Sequence, residues 1–271
     1  MQIRWEYLTP TQFKKLAREE QVCVLPIGSL ERHGEHMPYG TDALIAHEIA
    51  CRAAQQEPCV VFPPYWFGQV HEASCFAGTI NFPTEMLTKM LEMLLDQIAQ
   101  NGFKKILIVS GHGGNGHFTE YFSMSGLDRE VDYTLYNTFA YGGPKYKALD
   151  IWEKPGGGHA DEVETSLAMA AAPGTVIMDQ QCYSEPVLPG DELAHLKEKR
   201  IYTPLWWYGM YPENVTGSPS AATPPRQEKR STSMTLAPWR AAATAAMTPD
   251  RPPPATRTST CARTGVERGA S

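Results

Sequence analysis

No apolar stretch in this chain approaches the roughly 20 residues needed to cross a bilayer. Its opening residues, Met-Gln-Ile-Arg-Trp-Glu, lack the basic start, apolar middle and small-residue cleavage site of a secretory signal. These absences predict a cytoplasmic protein with no membrane partner. Cysteine is sparse and unpatterned: Cys23, Cys51, Cys59, Cys75, Cys182 and Cys261 form no CxxC pair, and several sit in apolar segments. There a reduced thiol behaves as a small hydrophobe, which excludes a disulfide framework and fits a reducing compartment. Positive charge is scarce before residue 217. The formal net charge is −6, yet residues 217–271 hold eight Arg or Lys against three Asp or Glu, which leaves −11 for the rest. Such an acidic body argues against a nucleic-acid partner.

That C-terminal stretch also lacks Ile, Phe and Tyr after Ser218, and Pro, Ala, Thr and Arg dominate it. Its apolar content is too low to offset the entropy of ordering. Residues 1–216 are therefore expected to form the domain, and 217–271 a tail that is disordered or foreign to the rest. The tail reads as a shifted frame of GC-rich coding DNA would.

What is present is an alternation of strand and helix signals. At 271 residues and 42% hydrophobic, the chain can bury a sizeable core. Thr9-Pro10-Thr11-Gln12 opens a short helix to about Glu20. Val22 to Ile27 reads as a strand, and Asp42 to Ala54 as a helix capped by Thr41 or Asp42. Cys59 to Phe62 is a second strand, stopped by Pro63-Pro64. Thr84 to Asn101 is the clearest amphipathic helix, with Met86, Met90 and Met93 read as core packing. Lys105 to Ser110 is a strand, followed by a helix near Phe118 to Leu127. Tyr133 to Phe139 is another strand, and Glu162 to Ala171 a helix. Strands apolar on both faces and separated by helices indicate an α/β fold with a parallel sheet covered on two sides. Ligands in such folds gather at the carboxyl ends of the strands.

Both polar clusters of the first half lie at strand ends. "IGSLERHGEHMPYGTD" crowds Glu31, His33, Glu35, His36 and Asp42 after the first strand, and "GHGGN" puts His112 after the third. A third cluster, "GGGHADEVETS", opens the last helix. Glu31 and His33, two residues apart in extended chain, share a face, and Asp42 at a helix start can turn back to the same point. Mixed carboxylate and imidazole donors suit Zn, Mn or Fe in the divalent state. Five or six such groups with a carboxylate able to bridge fit two ions roughly 3.5 Å apart. A water between them is a hydroxide at neutral pH, able to attack an amide or lactam carbonyl.

These motifs resemble those of the creatininase (creatinine amidohydrolase) family. "LPIGSLERHGEHMPYGTD" is similar to its Gly-Ser-x-Glu-x-His-Gly-x-His-x-Pro-x-Gly-Thr-Asp signature. "SGHGGN" and "GGHADEVETS" resemble its second and third motifs, and "FAGTINFPTEML" its Pro-Gly-Thr segment. The resemblance covers about residues 3–223. It implies a three-layer α/β/α fold, a dinuclear site and a homo-oligomer, often a hexamer. It also implies that Glu31 and His112 hold one ion, His33 the other, and Asp42 bridges them. Creatinine-hydrolysing members carry a further glutamate ligand two residues after the His112 position, where this chain has Gly114. The replacement expected here is Glu162, with Glu164 the alternative in a supporting role. His159 aligns with the catalytic histidine and is the candidate proton shuttle.

The tryptophans of creatinine-specific members fall near Thr138 and Pro155, with Trp152 close by, so creatinine itself is not the expected substrate. Relatives with His-Gly-Gly-Asn resemble deformylases, peptide-trimming enzymes and lactone or ring-opening hydrolases. The preferred expectation is a metal-dependent amidohydrolase that cleaves a C–N bond of a small cyclic or linear amide through a metal-bound hydroxide. Its alternatives are hydrolysis of a sugar-derived lactone or ketone at the same site, or an inactive metal-binding or scaffold protein. Among the remaining polar residues, His36 is a ligand-orienting, substrate-contacting or loop-stabilising residue. His71 and Glu72 are candidates for the pocket mouth, and Asn115 for tying the His112 loop. His47 is expected at a helix surface and His117 at the periphery. Trp206-Trp207-Tyr208 is read as a pocket wall, a subunit contact or simple packing.

Overall fold

A computed structural model describes residues 2–141, 159–181, 195–196 and 198–210. Among the described residues the α-helices and strands follow in order: α1 (Pro10–Glu19), β1 (Val22–Ile27), α2 (Thr41–Ala54), β2 (Val60–Val61), α3 (Thr84–Gln100), β3 (Lys105–Ser110), α4 (Asn115–Ser125), β4 (Thr134–Phe139) and α5 (Glu162–Ala171). The strands form one parallel sheet in the order β2-β1-β3-β4, with Val22 opposite Lys105 and Lys105 opposite Thr134.

Alternation along the strands sorts side chains into two cores. Val22 and Val24 of β1 with Leu107 and Val109 of β3 pack under α2 and α5. Cys23, Leu25 and Ile27 with Ile106 and Ile108 pack under α1, α3 and α4. The result is a three-layer α/β/α arrangement, because each strand residue contributes to one face only. Pro26 sits in a central strand, where proline is normally excluded. Its carbonyl accepts from Tyr65 N, so its missing N–H faces the side on which β2 has already ended at Val61.

The helix starts differ in detail from expectation. Thr9 caps α1 through a reciprocal bond with Gln12. Neither Thr41 nor Asp42 caps α2: Gly40 holds the cap position, and Thr41 Oγ1 donates to Pro38 O at 2.6 Å. The buried stripe of α3 is Leu87, Leu91, Leu95 and Ile98, whereas Met86 and Met93 are exposed. Those methionines carry the right spacing on the wrong face. His47 lies on the buried side of α2 next to Cys51, not at its surface, because α2 is covered by the sheet and α5. The four described cysteines are free, and no helix among the described residues is long and apolar enough to cross a membrane. Residues 217–271, Trp152 and Pro155 lie outside the described residues.

Candidate metal centre

The N-terminus of α2 rests on the carboxyl ends of β1 and β3, and two glycines permit that approach. A Cβ at Gly28 would meet Ala43 Cα at 2.7 Å, and one at Gly111 would collide with the main chain of Asp42. Asp42 is thereby set over the middle of the sheet, in the first turn of α2, where the helix dipole favours a carboxylate. The loop after β1 brings Glu31 and His33 to the same place, the loop after β3 brings His112, and the first turn of α5 brings Glu164.

Donor atoms converge in three overlapping groups, each spanning no more than 4.8 Å: Glu31, Asp42 and His112; His33, Asp42 and Glu164; and Glu31, His33 and His159. Asp42 belongs to the first two. Its Oδ2 lies 3.1 Å from His112 Nδ1, and its Oδ1 lies 3.1 Å from His33 Nε2. Glu31 Oε1 is 2.7 Å from His112 Nδ1, and Glu164 Oε2 is 3.7 Å from His33 Nε2. Ser29 Oγ donates to Asp42 Oδ2 at 2.6 Å. His33 Nδ1 faces the Glu31 carbonyl at 3.1 Å, and a carbonyl only accepts. The ring is therefore protonated at Nδ1, with Nε2 turned to the carboxylates.

Three carboxylates are buried here, and no Lys or Arg among the described residues pairs with any of them. Burial opposes protonation of His33, yet Asp42 and Glu164 outweigh it and hold the imidazole's pKa well above its ordinary value. Burial likewise opposes a charged His112, and Glu31 and Asp42 reverse that. Burial pushes Asp42 upward, but His33 and His112 hold it well below the usual carboxylate range. A protein without cations balances this nest only by charging its imidazoles. Glu31 Oε1 remains buried with no hydrogen-bond partner. Surplus negative charge, facing acceptors and an orphaned carboxylate oxygen are what a divalent cation would satisfy.

The structure thus brings Glu31, His33, Asp42 and His112 together. Glu162, the preferred fifth ligand in the sequence, is buried but joins none of the three groups, whereas Glu164 belongs to the second. The reason is local. Asp161 caps α5 by accepting from Glu164 N, and Glu164 then folds back so that Ala160 N donates to its Oε2. Ala160 adopts the left-handed conformation to allow this (φ 48°), strain of the kind often stored at functional sites. Tyr141 holds the other oxygen, with its hydroxyl 2.5 Å from Glu164 Oε1. Sequence reasoning missed Tyr141 and Ser29. Tyr141 follows β4 directly, so its place at a strand's carboxyl end was the available signal.

A profile of the family described as creatinine amidohydrolase matches residues 6–235. The chain belongs to the creatininase family. It is a hydrolase of the creatininase type. A Thermotoga maritima 3-dehydro-scyllo-inosose hydrolase is 25% identical over 249 residues, covering 82% of this chain and 76% of that protein. A Pseudomonas putida creatinine amidohydrolase is 26% identical over 61% of this chain and 70% of its own. A Mycolicibacterium smegmatis mycofactocin precursor peptide peptidase is 30% identical over 59% and 61%. A solved Bacteroides fragilis protein named for creatinine amidohydrolase superposes with a TM-score of 0.74 at 25% identity, covering 92% of this chain and 98% of its own. Creatininases solved in a manganese form and a Zn–Zn form share the fold at 20% identity, with TM-scores of 0.71 and 0.69.

Some of the other polar residues of this creatininase-family chain lie beside these donors and some do not. His159 stacks on His33 with centroids 4.4 Å apart, and its Nε2 is 2.9 Å from the Arg32 carbonyl. His36 Nε2 lies 3.1 Å from Thr165 Oγ1, on the turn after Glu164. Asn115 accepts from Gln69 N and donates to Ser110 Oγ, tying the His112 loop. Glu72 reaches His112, whereas the neighbouring His71 faces Thr84 at an exposed position. His117 packs edge-on against Tyr202 away from the cluster, and Trp207 is partly exposed.

Proposed function

We propose that this protein hydrolyses a C–N bond of a small cyclic or linear amide with two divalent ions, Zn, Mn or Fe, held at the carboxyl edge of the sheet. Glu31, Asp42 and His112 would hold one ion and His33, Asp42 and Glu164 the other. One observation carries the reading: the two oxygens of Asp42 are divided between two donor groups in a buried nest that no Lys or Arg among the described residues pairs with. When bound, such a pair lowers the pKa of water to near neutrality and polarises a carbonyl oxygen.

The chain's own residues supply the rest. Ser29 fixes the bridging carboxylate, and Tyr141 and Ala160 fix Glu164. The Arg32 carbonyl accepts from Nε2 of His159, which leaves Nδ1 as the basic nitrogen. That atom takes a proton from the attacking water and delivers it to the departing nitrogen. His159 is only half buried, while the donors beneath it are sealed, so substrate enters over His159.

The second reading is hydrolysis of a sugar-derived lactone or ketone at this same centre. It is favoured by the coverage of the inosose hydrolase, 82% of this chain. Metal analysis of purified protein, followed by turnover assays on lactams, formamides, lactones and cyclic ketones, separates the two. Turnover of amides alone, lost with His159→Ala, supports the first. Turnover confined to lactones or ketones replaces it with the second. Less than one ion per chain and no turnover would sink both and leave a scaffold role. The reading also carries a reducing, cytoplasmic setting and a homo-oligomer, a hexamer by family resemblance.

A further inference from the structure

The imidazole of His112 has two sides, and the proposed centre uses one. Nδ1 faces Glu31 and Asp42, whereas Nε2 points away from them and is buried against a different carboxylate. On that far side stands Glu72, from the loop after β2, with Oε1 at 3.3 Å from Nε2 and a side chain only 11% exposed.

Glu72 is not there by accident of a flexible side chain. Gln69 Nε2 donates to its Oε2 at 3.0 Å and faces the Gly114 carbonyl at 3.1 Å. The amide of Gln69 is itself pinned, since its Oε1 accepts from His71 N at 2.7 Å. Its main-chain N–H donates to Asn115 Oδ1 at 2.8 Å, which ties the Glu72 loop to the start of α4. Room for the carboxylate comes from Gly114. A Cβ there would overlap Glu72 Oε1 and come within 2.5 Å of His112 Nε2. The glycine two residues after His112 and the glutamate 42 positions earlier therefore form one unit: an absent side chain and the carboxylate that fills its space.

We propose that Glu72 is a positioning residue for His112. Its negative charge, 3.3 Å from Nε2, favours the proton on that nitrogen and limits the ring's rotation, so that the Nδ1 lone pair would be offered to the ion shared with Glu31 and Asp42. Ligating histidines are commonly oriented through their second nitrogen in this way, and loss of such a partner weakens metal affinity by about 10–100-fold. The inference rests on the dinuclear reading above.

The test is zinc affinity, measured for each ion by chelator competition on the full chain, with the melting temperature of the stripped protein recorded alongside. Glu72→Leu is expected to weaken the ion at Glu31 and His112 by about 10–100-fold. The ion at His33 and Glu164 should change by less than about threefold. Glu72→Gln, which keeps an acceptor for the Nε2 proton, should recover most of the affinity. A purely structural role would instead lower the melting temperature of the stripped protein and weaken both ions alike, and that result overturns the proposal. Unchanged affinity in Glu72→Leu overturns it too, and so does a Glu72→Gln variant as weak as the leucine one. If the wild type itself binds no zinc, the dinuclear reading falls first, which is a different outcome from two ions bound and indifferent to Glu72.

Discussion

Replacing Glu164 with Gln should remove one ion and leave the other, whereas Glu162→Gln should leave both. The contrast is demanding because the two glutamates sit in the same helical turn and are equally buried. Both oxygens of Glu164 are engaged by donors, Tyr141 O–H on Oε1 and Ala160 N–H on Oε2. An amide at this position sets its NH2 against one of those donors, and a hydrogen bond to a charged group contributes about 1.5–3 kcal/mol. In the ion-free protein, part of that loss is offset, because one of three crowded negative charges disappears. No such relief exists with cations present, so the loss falls on metal affinity. At about 1.4 kcal/mol per decade, 3 kcal/mol is roughly 100-fold. At saturating zinc, a 100-fold weaker site forfeits about 2.7 kcal/mol of ligand-linked stability. For a chain this size that is a zinc-induced rise in melting temperature smaller by about 5–10 °C. Elemental analysis after dialysis and calorimetry with and without zinc read both quantities. Two ions at wild-type affinity in Glu164→Gln, with one lost in Glu162→Gln, would refute the assignment.

Asp42→Asn should lose both ions and all turnover, since one carboxylate serves two donor groups; retention of either ion at wild-type affinity speaks against a bridge. Tyr141→Phe keeps the shape of the ring and deletes the hydroxyl on Glu164, so the ion at His33 should bind about 10–100-fold more weakly while the Glu31 ion is unaffected. Chelator titration distinguishes the two sites. His47 carries a pH signature away from the centre. Burial, with Arg4 nearby, lowers its pKa from 6.5 to about 4. Between these values the unfolded chain takes up a proton that the folded one refuses, so stability is full above about pH 6.5 and falls as pH drops towards 4. Allowing for partial screening, His47 accounts for about 2 kcal/mol of that fall. Denaturant melts of wild type and His47→Gln at pH 7 and 4.5 should show a shallower loss in the variant; parallel losses would refute the mechanism.

The order of strands and helices was legible along the chain because it rests on local physics. Two-sided apolar runs such as Lys105–Ser110 can be strands only in a covered sheet, and Thr9 with Gln12 announces a helix start within four residues. Four of the residues that converge were legible for a related reason: Glu31, His33, Asp42 and His112 lie at strand ends in motifs with distinctive spacing. Choices between near neighbours were not. Glu162 and Glu164 are both glutamates in the first turn of the helix, and only the backward fold around Ala160, with Tyr141 arriving from beyond another strand, sets the second among the converging donors. Met86 and Met93 had core spacing but face solvent, because which stripe of α3 meets the sheet depends on how the helix is laid down. Glu72 stands 40 positions from His112 in the chain, and no local signal joins them. The sequence alone determined which chemical groups are available and near which strand ends. Packing decided which of them meet, since the close approach of α2 over Gly28 and Gly111 is a property of the assembled sheet.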